Sequence, residues 1–207
     1  MRSAVILAGG GSRRLGVDKA LLEFDGRALL SWTVRKVRCC VDEVVVVARD
    51  RRHAEQLERI TPEAVLAWDS VEGFGPVAGL DSGMRSAAGD VVFATGCDLP
   101  FLCQAVIERL FELAEQEPGY DAAVPIRQNG WIEPLHSVYL RERMAAACHR
   151  ALLGGEQSIR SPLRDLRINC IPVEMLLPLD PDLLTFFNLN TQEDLRQAQG
   201  IWSRLYR

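Results

Sequence analysis

The hydrophobic pattern of this chain changes period several times, and each change marks an element. Residues 3–8 form an almost unbroken apolar run that empties into glycines, which reads as a buried strand. Residues 28–40 place Leu29, Leu30, Val34 and Val37 on one side at helical spacing. Residues 43–48 are valine-rich, as expected of a strand covered on both faces in a parallel sheet. A polar amphipathic helix follows over 51–60, and a third strand over 64–68. Gly75-Pro76 introduces a helix over 77–88, with proline where a missing N–H costs little. A strand over 91–95, a helix over 102–116 and a strand over 121–125 continue the alternation. Strands and helices alternating through short connections predict an α/β fold. The expected architecture is a three-layer open sheet, mostly parallel and Rossmann-like, with right-handed crossovers.

The second half is less regular. Residues 131–139 read as a loop entering a strand, and 141–153 as a helix. A further helix is expected over 158–166, a strand over 167–173 and a short strand over 185–189. The last helix is expected over 191–199, with Glu193 and Asp194 in its first turn, where negative charge suits the helix dipole. No repeat, low-complexity segment or linker interrupts the chain, so residues 1–207 are expected to form one domain.

Composition narrows the class of function. Hydrophobic content of 48% and charged content of 25% are those of an ordinary globular protein. A net charge of −4 argues against wholesale nucleic-acid binding. No apolar run approaches a membrane span, and the N-terminus reads as a core strand and not a signal peptide, so a cytoplasmic location is expected. The six cysteines, Cys39, Cys40, Cys97, Cys103, Cys148 and Cys170, lack metal-site spacing and are expected to be reduced. His53, His136 and His149 are too scattered for a zinc site.

The candidate chemistry begins after the first strand, at Leu7-Ala8-Gly9-Gly10-Gly11-Ser12-Arg13-Arg14-Leu15-Gly16-Val17-Asp18-Lys19. Glycine backbone can approach a phosphate closely, arginine can grip its oxygens as a fork, and lysine adds a mobile charge. It is not a P-loop, because Val17 stands where the lysine belongs. It is not the dinucleotide fingerprint either, because Arg14 occupies the third glycine position. Ligands of open α/β sheets bind beyond the carboxyl ends of the strands. Asp69, with the Gly75-Pro76-Val77-Ala78-Gly79 turn, Asp98 and Glu133 are all expected at that edge. Asp98 suits Mg²⁺, which takes one or two carboxylates and completes its shell with phosphates and water. A helix N-cap is the other reading of the same aspartate. Cys97 reads as a packing thiol and His136 as a hydrogen-bonded sheet histidine.

Leu7-Ala8-Gly9-Gly10, Arg14-Leu15-Gly16 and Asp18-Lys19-Ala20 together resemble the L-A-G-G-x-S-x-R-M-G-x-D-K-A signature of nucleotidyltransferases acting on the molybdenum cofactor, in its MobA-type, guanylyl-transferring form. Leu15 replaces the methionine, a volume-conserving swap. Cys97-Asp98-Leu99-Pro100 is similar to the family's C-D-x-P metal motif. Phe187-Asn188-Leu189-Asn190-Thr191-Gln192-Glu193-Asp194-Leu195 is similar to its F-x-N-[IVL]-N-T-P-E-D-L motif, with Gln192 for the proline. The motifs span nearly the whole chain.

The resemblance implies a nucleotidyltransferase fold and a GTP:molybdopterin guanylyltransferase. The N-terminal half would hold the nucleotide and the C-terminal half the acceptor. Arg14, Lys19 and Asp98 would be catalytic, and Asp98 would carry Mg²⁺. Leu7, Ala8, Gly9, Gly10, Lys19, Asp69 and Asp98 would surround the GTP. Asn188 and Asn190, alternating on the expected strand, would share a face toward the molybdopterin or its molybdenum-loaded form. Thr191 or Asn190 could equally cap the last helix. Apo-molybdoenzymes or other cofactor-biosynthesis proteins are the implied protein partners. A cytidylyltransferase, a sugar-phosphate nucleotidyltransferase of the same fold, or a non-catalytic cofactor carrier are the competing readings.

Overall fold

The computed structural model describes residues 1–9, 17–68 and 74–206, the last without its side chain. Its centre is a seven-stranded sheet in the order β5-β4-β1-β6-β8-β7-β9. These strands are β1 Arg2–Leu7, β4 Glu43–Ala48, β5 Val65–Trp68, β6 Val91–Gly96, β7 Ala122–Ile126, β8 His136–Leu140 and β9 Ile168–Pro172. Only β8 runs against its neighbours, β6 and β7. The expected mostly parallel, three-layer sheet is therefore present.

Side-chain alternation along the central strands divides the core in two. Ala4 and Ile6 of β1 and Val44 and Val46 of β4 face one layer, while Val5, Val45 and Val47 face the other. The first layer contains α1 Leu29–Val37, α2 Arg51–Glu58 and α4 Gln104–Gln116. The second contains α3 Pro76–Ser86 and α5 Arg141–Leu153. Gly83 lets α3 lie directly on the sheet, since a Cβ there would fall 2.3 Å from a Val5 methyl. Asp50 caps α2 by accepting the His53 backbone N–H at 2.7 Å. A third cluster joins Phe24, Leu29, Phe101 and Leu189 to Ala198, Ile201 and Trp202 of α6, Gln192–Tyr206.

Three elements differ from the expectation. A small hairpin, β2 Glu23–Phe24 and β3 Arg27–Ala28, precedes α1. Its turn is Asp25-Gly26, both at positive φ, and an Asp-Gly pair is a recognised hairpin signal. The helix expected over 158–166 is reduced to a single 3-10 turn, Pro162–Asp165. Pro162 cannot donate a helical hydrogen bond, and Ser161 and Arg160 are instead engaged by Glu156 and Trp131. The strand expected over 185–189 is absent. Leu184–Phe186 forms a 3-10 turn, and the Leu189 N–H donates to the Asp98 carbonyl at 2.9 Å, outside any sheet. No helix among the described residues is long and apolar enough to cross a membrane.

Candidate active site

The register brings several chain segments to one edge of the sheet. Leu7, at the end of β1, lies opposite Val47 and Gly96. Thr95 pairs with His136, so the turn before the antiparallel β8 opens at the same edge. Beyond β1, the Ala8 N–H still donates to the Val47 carbonyl at 2.9 Å. Gly9 then passes so close to the segment just past β4 that a Cβ would lie 3.1 Å from Arg49 backbone atoms. The expected sites at Gly10, Arg14 and Asp69 lie outside the described residues.

Asp98 emerges just beyond β6. A Cβ on Gly96 would stand 2.7 Å from Asp98 Oδ1, so glycine leaves room for the carboxylate. Lys19 Nζ donates to Asp98 Oδ2 and to Asn190 Oδ1, both at 2.7 Å. The two charged side chains are mostly withdrawn from solvent, at 13% and 21% exposure, which strengthens their interaction over that of a surface pair. The N-terminal and C-terminal motifs thus meet at one ammonium group. Asp98 is not a helix cap, because α4 starts only at Gln104 and the carboxylate is turned to Lys19.

The residue that caps α6 is Thr191. Its Oγ1 accepts the Asp194 N–H at 3.1 Å, while Asp194 Oδ2 accepts the N–H groups of Thr191 and Asn190. Burial pushes the Asp194 carboxyl up, but these hydrogen bonds and the Lys19 charge outweigh it and hold the pKa below the usual value. Asn190 therefore keeps its side chain for Lys19.

Asn188 does not share that face. With the expected strand absent, its Nδ2 donates to the Phe186 carbonyl at 3.1 Å. It lines a separate pocket of about 160 Å³, together with Leu99, Trp131, Glu133, His136 and Arg160. Glu133 is held by Arg127 Nε at 2.6 Å. His136 is enclosed and 3.2 Å from Thr185 Oγ1, and burial drives its pKa to about 3, so it is neutral at physiological pH. Burial, reinforced by the Asp98 charge, pushes the Cys97 thiol up, which keeps it protonated and suits packing better than nucleophilic attack.

One cluster escaped the sequence reading. Asp18 accepts from Arg49 Nη1 at 2.8 Å and from the Ala20 N–H at 3.0 Å, and His53 Nε2 lies 3.0 Å away. Burial pushes the Asp18 carboxyl up, yet the His53 ring and Arg49 together hold it below the usual value. This anchors the residue preceding Lys19 to the start of α2. Asp18 stands within the motif beside Lys19, but Arg49 and His53 lie just past β4 and in α2 and carry no local signal.

Among the described residues no three His, Cys, Asp or Glu side chains converge as a metal cage. The Asp98 carboxylate offers instead a single hard oxygen donor group beside a cation. That donor set fits Mg²⁺ only if phosphates and water complete the shell.

Residues 4–169 match the family model for the MobA-like NTP transferase domain. The chain is 34% identical over 206 residues to a probable molybdenum cofactor guanylyltransferase of Methanosarcina mazei, covering 96% of this chain and 90% of that protein. It is 36% identical over 199 residues to a molybdenum cofactor guanylyltransferase of Desulfosudis oleivorans, covering 96% and 94%. The crystal structure of molybdopterin-guanine dinucleotide biosynthesis protein A from Archaeoglobus fulgidus superposes with a TM-score of 0.86 at 34% identity, over 99% of this chain and 100% of that one.

Proposed function

The chain belongs to the MobA-like NTP transferase family and is a nucleotidyltransferase, and from that premise we propose that it transfers GMP from GTP to molybdopterin. An oxygen of the acceptor's terminal phosphate attacks the α-phosphorus of GTP. The bond from that phosphorus to the β-bridging oxygen breaks, and pyrophosphate leaves with its electron pair. The products are the guanine dinucleotide of the cofactor and pyrophosphate. The observation that carries this reading is the Lys19–Asp98–Asn190 contact, which joins the two motifs at one charged centre.

Transfer of this kind is mostly positioning and charge stabilisation. Lys19 and Arg14 neutralise the triphosphate and the leaving pyrophosphate. Leu7, Ala8, Gly9 and Gly10 line the guanine side with backbone, and Asp69 contributes to the nucleotide pocket. Asp98 would hold Mg²⁺, which would supply positive charge to the phosphates. Asn190 keeps Lys19 in place between nucleotide and acceptor, and Asn188 contributes to acceptor binding. The reaction belongs in the cytoplasm, where reduced cysteines and GTP occur together.

The test is pyrophosphate release from purified protein with molybdopterin and either GTP or CTP. A higher kcat/KM for GTP is expected. Equal or better use of CTP removes the guanylyl assignment, and no release with either nucleotide removes molybdopterin as the acceptor.

A further inference from the structure

The pocket around Asn188 contains a feature that the transfer chemistry does not require. The Arg160 guanidinium carbon lies 3.8 Å from the centroid of the Trp131 ring. Trp131 is 54% exposed and sits on a turn outside the core, where its N–H donates to Asn129 Oδ1 at 2.9 Å. Among the described residues the Arg160 guanidinium has no ion-pair partner, and its buried Nη2 has no hydrogen bond. The indole contact favours the guanidinium, but a buried guanidinium N–H with no acceptor among the described residues is costly unless a ligand supplies one.

The Arg160 side of the pair is tied down. Glu156 accepts from Ser161 Oγ and from Arg164 Nη1, fixing the segment that carries Arg160. The Gln157 carbonyl packs on Gly75, where a Cβ would lie 2.9 Å away. The pocket also borders the charged centre through two chain segments. Leu99 follows Asp98, and Asn188 precedes Leu189, whose N–H binds the Asp98 carbonyl. A ligand seated here lies beside the segments that carry Asp98 and Asn190. The volume of about 160 Å³ is too small for a whole drug-sized ligand and suits one flat ring system.

Resting on the transferase reading above, we infer that the Trp131–Arg160 pair selects the acceptor by gripping its planar nitrogen heterocycle. The indole–guanidinium stack offers a flat surface to a ring, and the guanidinium N–H groups donate to ring carbonyl or nitrogen acceptors, as arginine does toward a guanine edge. The Asn188 amide spends its Nδ2 on Phe186, leaving Oδ1 to accept from a ring amino group. A pterin phosphate satisfies all three groups. An alcohol or sugar phosphate has no aromatic plane to stack and is rejected.

The experiment compares the wild-type protein with Trp131→Ala, Trp131→Phe and Arg160→Ala by pyrophosphate release, varying molybdopterin at saturating GTP and then the reverse. Each alanine variant should raise the KM for molybdopterin about tenfold, the scale of one lost ring-stacking contact, with the KM for GTP unchanged. Trp131→Phe, which keeps an aromatic face, should recover most of the loss. An unchanged molybdopterin KM in both alanine variants overturns the inference, as does an equal rise in the KM for GTP. Wild-type protein that releases no pyrophosphate with molybdopterin overturns the functional reading itself, and the pterin assignment with it. Failure of the platform alone appears only in the variants.

Discussion

The two ends of the candidate site are built by different means. The charged centre stands on strand ends, with Leu7, Gly9 and Gly96 setting the backbone and Asp98 projecting just past β6. The pocket beside Asn188 stands on turns and 3-10 segments, which side chains such as Glu156, Arg127 and Thr185 tie together. Strand ends share one rigid hydrogen-bonded sheet, so charged groups mounted there hold their spacing with little freedom. Loops fixed by side-chain contacts can be re-cut without disturbing the sheet.

The contrast can be broken most sharply at Asp98. Asp98→Asn keeps the shape and removes the charge, and kcat should fall about 10²–10³-fold, with the molybdopterin KM little changed. Pyrophosphate release at saturating Mg²⁺ measures it, and near-normal kcat would remove Asp98 from the charged centre. Gly96→Ala tests whether the strand end positions that carboxylate. The added methyl would press on Asp98 Oδ1, and a displacement approaching 1 Å can cost about 10²-fold in rate. The expected result is lower kcat with an unchanged circular dichroism spectrum.

The two asparagines sharpen the comparison further. Asn190→Ala leaves the Lys19 ammonium short of one acceptor and should lower kcat, whereas Asn188→Ala should raise the molybdopterin KM. Each effect should lie within about 1–3 kcal/mol, the cost of an unpaired polar contact. Identical kinetic signatures from both variants would erase the distinction between the two regions.

The smallest expected effect is on acid stability. Asp18, on the strand-end side, and Asp194, at the start of α6, both have pKa values held below the usual one. A carboxyl depressed in the folded state stabilises the fold above its unfolded pKa of about 3.9 and loses that contribution as pH falls through the folded value. Thermal unfolding should therefore be flat with respect to these groups near neutrality and should move to lower temperature below about pH 4. Asp18→Asn and Asp194→Asn should each shallow that acid decline. An unaltered acid limb in both would show that neither carboxyl is perturbed as described.

The alternating half of the fold was legible in the chain because its signals are local. Apolar runs such as 43–48 and the helical spacing of Leu29, Leu30, Val34 and Val37 are set by short-range periodicity. That Lys19 and Asp98 would meet was expected for a related reason, since strand ends of an open sheet must share an edge. Sequence alone therefore determined the layered α/β architecture, the strand-end edge where Lys19 meets Asp98, and the family resemblance. Tertiary structure decided what residues 158–166 and 185–190 do. Without a neighbouring strand to pair with, the second segment bonds to the Asp98 backbone, and Asn190 turns to Lys19 while Asn188 turns away. Tertiary structure alone also joined Asp18 to Arg49 and His53, and stacked Arg160 on Trp131. The physical reason is common to all of these cases. A periodic pattern reports the face a segment buries, but the partner of a polar side chain depends on segments brought close only when the whole sheet has formed.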